Sequence, residues 1–283
     1  MAYVARDSEE SLVAGAARAP RRAMPGEGRL SQFLTSRGGR LFGQFVIVAV
    51  LLALWEVGSG IFLPRLWVSA PSAIVAQLYK WFSDGSIWVH LTATISSAAL
   101  GYLIGAIAGV ATGLLLGLST RVEAIFSPFI VALYSLPKIA LAPFFVIFLG
   151  IGIESKIALV AVTVYFLLLY NTLDGIHDLD RGWASAYRLM GANRREIVRQ
   201  VMLPGIMPWV FSGLRISVRY AFTAAVFGEL IAGNRGIGYL IEDSAGNFSS
   251  SGIFAGVLAL VVCSVGATQI IVGVERAVLH WKT

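Results

Sequence analysis

Charge is what this chain has least of. Asp, Glu, Lys and Arg make up 13% of its 283 residues, against 57% that are hydrophobic, and the mean hydropathy is +0.77. A water-soluble domain carries about 25% charged residues, so a soluble globular protein is excluded. Cysteine is almost absent as well. Cys263 stands alone inside an apolar run, which rules out an intrachain disulfide and reads as a small buried hydrophobe. There is no Gly-Lys-Ser/Thr phosphate loop, so nucleotide hydrolysis would have to come from another polypeptide. His90, His177 and His280 are scattered without metal-ligand spacing and read as loop or interfacial residues. The net charge of +6 is no nucleic-acid footprint, because the basic residues flank apolar runs. The short alternating segments of a membrane β-barrel do not dominate either.

What is present is a series of apolar runs, several of them near the roughly 20 residues that cross a bilayer as a helix. We read an all-α, polytopic membrane protein with six spans: Leu41 to Ile61, Leu91 to Leu118, Ile125 to Leu149, Ser155 to Leu173, Ile206 to Ala232 and Ile253 to Val274. Residues 1–40, with Arg6, Arg18, Arg21, Arg22, Arg29, Arg37 and Arg40, read as a disordered basic tail ahead of a membrane domain at 41–283. The first apolar run starts too late and is too long for a cleaved signal peptide. Gly101, Gly105, Gly109, Gly113 and Gly117 recur at every fourth residue of the second span, a small-residue stripe on which another helix can pack closely.

Orientation follows from Lys and Arg in short loops. The tail, Arg121, the 175–205 loop and the C-terminal Arg276 and Lys282 fall on one side; Arg65, Lys80, Lys156 and Arg235 are spread over the other. Both termini and the arginine-rich loop are therefore expected in the cytoplasm. Pro71 to Phe82 carries Ile74, Leu78 and Phe82 at helical spacing, flanked by Trp67, Trp81 and Trp88. This reads as an amphipathic helix at the outer surface.

The segment from Ser185 to Pro204, SAYRLMGANRREIVRQVMLP, holds Arg188, Arg194, Arg195 and Arg199 between two apolar runs. A short helix from Trp183 to Leu189 is expected to break at Gly191, and a second, from Glu196 to Met202, to close at Pro204. A helix-Gly-helix elbow of this kind can seat in a groove of a partner. After Gly191 come nine residues, then Val201, Met202, Leu203 and Pro204. That spacing resembles the cytoplasmic motif of ABC importer permeases, E-A-A, three residues, Gly, nine residues, Ile, one residue, Leu-Pro. Ser185 stands for the Glu, Ala186 and Tyr187 for the two alanines. LALWEVGSGIFLP, SAPSAIVAQL and GLRISVRYAFTAAVFGELIAGNRGIGYLI look like the nitrate/sulfonate/taurine branch of that family.

The resemblance implies type I importer permease architecture in a bacterial inner membrane. It implies a homodimer in lipid with two ATPase subunits below and a periplasmic binding protein above, and no enzymatic activity in this chain. ATP and Mg would be held by the ATPase. The coupling contacts would fall on Ser185, Ala186, Tyr187, Gly191, Ala192, Leu203 and Pro204. The cargo would be a small anionic solute such as a sulfonate, taurine or nitrate, moved by alternating access.

Ionisable residues inside spans are the candidates for the passage. Arg215 and Arg219 share a face of the fifth span; they either line the passage and attract an anion or lie near the cytoplasmic end, snorkelling or pairing with carbonyls. Pro137 frees a backbone carbonyl in the third span; with Lys138, Tyr134 and Phe145 it marks either a gate or a purely structural kink. Glu229 is expected to pair with Arg235 or Lys138, and Glu56, beside Trp55, to serve helix packing. A secondary transporter or channel is the alternative reading. It needs midplane carboxylates, for which Glu56 and Glu229 are the candidates. A membrane scaffold would leave the proline-broken span unexplained.

Overall fold

The computed structural model describes residues 37–61, 64, 67–179 and 181–279, with the side chains of residues 37, 181 and 183–185 outside that description. The tail through residue 36, Arg65, His280 and Lys282 lie outside the described residues. Two units are distinguished, 1–57 and 58–283. The first holds α1 (Arg37–Gly58), which starts four residues earlier than expected. Its 22 residues reach about 33 Å, enough to cross the hydrocarbon core.

The second unit is built on three helices, α3 (Ser86–Gly117), α6 (Ile153–His177) and α9 (Leu203–Ala232); α3 and α6 run parallel, and α9 runs antiparallel to both. The glycine stripe of α3 lies directly on α6. A Cβ at Gly105 would stand 2.4 Å from the carbonyl oxygen of Ala161, and one at Gly109 2.5 Å from that of Tyr165. No side chain fits there, so the glycines let the two backbones touch. The opposite side of α6 receives α9 through Gly213 on Leu168 and Asn171 and Gly175 on Trp209. Leu159, Val160, Val164 and Leu168 of α6 are fully buried between the two neighbours. A helix apolar on every side belongs in such a central position.

Around this core stand α2 (Pro71–Ser83), α4 (Thr120–Ser135), α5 (Ala142–Leu149), α10 (Ile237–Gly246) and α11 (Ser250–Val278). In α2 the buried face is Ile74 and Trp81, while Phe82 is about half exposed, so Trp81 replaces Phe82 on the face read from the sequence. The proline-broken third span is α4 and α5 joined by the 3-10 turn Lys138–Leu141, with an 81° bend. Leu136 is extended because it precedes Pro137, and Pro143 sits in the first turn of α5, where its missing N–H costs nothing. α10 was not read from the sequence. Among the described residues, five helices are long and apolar enough to span a membrane, six if the bent pair counts as one span.

One expectation is corrected at the start of α9. The helix preceding Pro204 does not close there. The short α8 (Arg194–Ile197) passes through a π turn, Val198–Met202, into α9, giving one helical stretch from Arg194 to Ala232. Leu203 N–H reaches back to the Val198 carbonyl, five residues earlier. Pro204 then falls in the first turn of α9, where an absent donor is tolerated.

Candidate functional site

The arginine-rich elbow is set by local chemistry. α7 (Arg181–Leu189) ends where Gly191 takes φ +87°. The Ala192 N–H donates to the Tyr187 carbonyl at 2.9 Å, a left-handed glycine C-cap. Two residues later Asn193 opens α8 with a capping box: the Glu196 N–H donates to Asn193 Oδ1 at 3.0 Å, and the Asn193 N–H donates to Glu196 Oε2 at 2.7 Å. Sequence and geometry thus agree on a break at Gly191.

The elbow is tied to the bundle by polar contacts. Arg194 Nη2 donates to the Leu118 carbonyl at the end of α3, 2.6 Å away, where a cation also favours the negative end of the helix dipole. His177 Nε2 lies 2.6 Å from Glu123 Oε1, joining the end of α6 to the start of α4. Between these ties is a cavity of about 680 Å³ lined by Leu118, Glu123, Arg188, Ala192, Arg194 and Val201 among others. At the tip, Leu189 and Met190 are 90% and 81% exposed. Two large apolar side chains beside a polar elbow make a knob that a partner groove would cover.

The residues expected to contact an ATPase are dispersed over this elbow. Ala186, Gly191 and Pro204 are exposed; Ala192 and Leu203 are half-buried. Tyr187 turns back to line a second cavity with Trp209 and Gln200. Ser185 lies on α7, with its side chain outside the described residues. Leu189 and Met190 were missed by the motif, which fixes Gly191 and leaves its predecessors free. The exposed hydrophobic pair before a helix-ending glycine was the available signal.

The passage candidates do not form one cluster. Lys138 Nζ donates to the Tyr134 carbonyl freed by the break, and sits 4.2 Å from the Tyr134 ring centroid and 5.7 Å from that of Phe166. Its charge is met by a carbonyl and two aromatic faces. Phe145 packs on the core that α6 and α9 share. Arg215 and Arg219 line a groove between α9 and α11, and Arg215 Nε is 3.2 Å from Glu275 Oε2.

Glu229 is corrected. It is fully buried and pairs with neither Arg235 nor Lys138. Thr94 Oγ1 donates to its carboxylate, lying 2.8 and 2.9 Å from the two oxygens, and the Gly238 N–H donates at 2.8 Å. Thr94 Oγ1 in turn accepts from the Ile237 N–H at 2.8 Å. Lys156, 6% exposed, supplies nearby positive charge. At Gly236, φ is +123° and a Cβ would fall 2.1 Å from the carboxylate carbon. The cluster fixes the first turn of α10 to α3 and α9, and removes Glu229 from any aqueous wall in this conformation. A threonine within an apolar run gave no sequence signal for it.

These features define a helical, multi-pass membrane protein with a polar elbow presented at one end of its bundle. The chain belongs to the family described as Binding-protein-dependent transport system inner membrane component, which matches residues 101–280. It is 30% identical over 238 residues to the putative aliphatic sulfonates transport permease protein SsuC of Bacillus subtilis, covering 84% of this chain and 86% of that one. The taurine transport system permease protein TauC of Escherichia coli is 30% identical over 220 residues, with coverage of 76% and 80%. The formylaminopyrimidine transport permease protein ThiX of Halalkalibacterium halodurans is 29% identical over 233 residues, with coverage of 82% and 93%. Among solved structures, the MetNI methionine ABC transporter in an inward-facing conformation aligns with a TM-score of 0.62. Identity is 19% over 69% of this chain and 98% of that one, a likeness of fold. The protein is thus an ABC importer permease component of a bacterial inner membrane.

Proposed function

We propose that this chain forms the translocation pathway of an importer for a small anionic solute, of the sulfonate, taurine or nitrate type, delivered by a periplasmic binding protein. Two copies pair in the membrane with N- and C-termini in the cytoplasm. A separate ATPase, holding ATP and Mg, seats on the elbow and drives alternating access. The elbow carries this reading: Gly191 and the Asn193–Glu196 capping box hold a fixed bend, and Leu189 and Met190 stand exposed at its tip. The cargoes for which the relatives are named differ in chemistry, so the anionic assignment rests on Arg215 and Arg219 beside the α9–α11 groove.

The test is co-purification with the cognate ATPase. Replacing both tip residues, Leu189→Glu with Met190→Glu, leaves the exposed elbow folded and removes its apolar knob. The ATPase is expected to co-elute with the wild type and not with the double variant. Native mass of the permease pair reads the homodimer at the same time. Solute uptake that persists without an ATPase would instead favour a secondary transporter or channel.

A further inference from the structure

The groove between α9 and α11 is walled by Ser212, Arg215 and Arg219 on one helix and Ser264, Thr268 and Gln269 on the other, and encloses about 390 Å³. Its depth follows from helix length. Arg219 is 13 residues before the end of α9 at Ala232 and 16 after its start at Leu203, about 20 and 24 Å at the rise of an α-helix. Its exposed side chain therefore lies well inside the apolar length of α9, far from both helix ends. A guanidinium at that depth is costly against lipid tails and is found where water or protein covers it. The hydroxyl and amide groups across the groove fit the same surroundings.

The two arginines are not equivalent. Arg215 is 41% exposed and holds Glu275, 17% exposed, at 3.2 Å, whereas Arg219 pairs with no carboxylate among the described residues. One helical turn separates them, so both can reach a single ligand between them. The groove thus contains two cations and one carboxylate, and that carboxylate comes from the opposite wall. One further negative charge would balance it.

We propose that this groove is a transient binding site for a small oxyanion, a sulfonate, nitrate or carboxylate, in which Glu275 is a tethered competitor. Glu275 occupies Arg215 while the site is empty. An arriving anion bridges Arg219 and Arg215 and displaces the Glu275 carboxylate, which returns when the anion leaves. The exchange keeps Arg215 partnered throughout and keeps affinity low, as passage through a membrane requires binding that also releases. Glu275 thereby becomes a specificity-determining residue that neither the family motif nor its place near the helix end distinguishes. This rests on the importer reading above only for the identity of the anion as cargo.

The experiment uses the full chain assembled with its ATPase in proteoliposomes. In a Cys263→Ala background, Thr268→Cys places a thiol in the groove, and Ser264→Cys serves as a second position should the first fail to fold. Labelling by a neutral hydrophilic maleimide is timed with increasing ethanesulfonate or, as the cationic control, ethyltrimethylammonium at matched ionic strength. Ethanesulfonate is expected to slow labelling and the control is not. Glu275→Gln is expected to lower the half-protecting concentration about tenfold and Arg219→Gln to raise it about tenfold, the size of one charge-assisted hydrogen bond. Three results would overturn the proposal: neither cysteine labels, both ions protect equally, or Glu275→Gln leaves the half-protecting concentration unchanged because Glu275 only ties two helices together. ATPase-dependent uptake is measured on the same vesicles. Uptake without protection leaves the importer reading standing and removes this site. Protection without ATPase-dependent uptake leaves the site standing and removes that reading.

Discussion

At one end of α6 and α9, Glu229 is sealed among Thr94, Gly238 and Lys156. At the other end, Glu123, Arg188 and Arg194 border an open cavity, and Leu189 and Met190 project from the chain. Both ends are polar sites in an apolar protein, but they use polarity differently. The closed end satisfies its carboxylate from neighbouring helices, so removing a partner strands a buried donor or acceptor. The open end satisfies its donors locally, by a glycine cap and a capping box, and leaves its outer surface to be covered. Polarity buried and paired holds helices in place; polarity capped and exposed shapes a surface for something else.

That contrast can be broken at graded cost. The largest effect is expected from Gly105→Leu between the two ends, because even a Cβ there meets the Ala161 carbonyl at 2.4 Å. Forcing α3 off α6 should destabilise by about 3 kcal/mol or more, read as loss of monodisperse protein in detergent. Next comes Glu229→Ala, which leaves the Thr94 hydroxyl and Gly238 N–H without their acceptor. A loss of about 2–3 kcal/mol is expected, measured by thermal or denaturant unfolding, with Glu229→Gln recovering part of it. Asn193→Ala at the open end removes one cap and should cost about 1 kcal/mol, seen as faster hydrogen exchange confined to 193–200. Smallest in stability is Leu189→Glu with Met190→Glu, within about 0.5 kcal/mol; its effect belongs to ATPase co-elution. If that pair destabilises as much as Glu229→Ala, the contrast between the two ends is wrong.

Much of the scaffold is legible along the chain, because length and apolarity alone decide whether a helix crosses lipid. The glycine stripe predicted a close helix contact, and α6 supplies it. The break at Gly191 was readable because a left-handed cap has few residue choices. The passage through Pro204 was not. Proline reads as a helix stop, while a π turn just upstream shifts the hydrogen-bond ladder by one residue and lets the helix continue. Glu229 was recognisable as costly in a span, but its partners were not, since Thr94 lies 135 residues away and the Gly238 donor is a backbone group. Arg215 and Glu275 belong to helices that only the fold brings together.

The seating of α3 on α6 also bears on movement. Its glycines recur every four residues, so successive contacts are spaced by about 6 Å along the helix, like teeth on a rack. A slide of less than one tooth would drive the intervening side chains of α3 against α6, and rotation would do the same. The pair has two choices, to stay engaged or to jump a full step. Gradual adjustment in this protein must therefore happen at other seams, where no such teeth mesh.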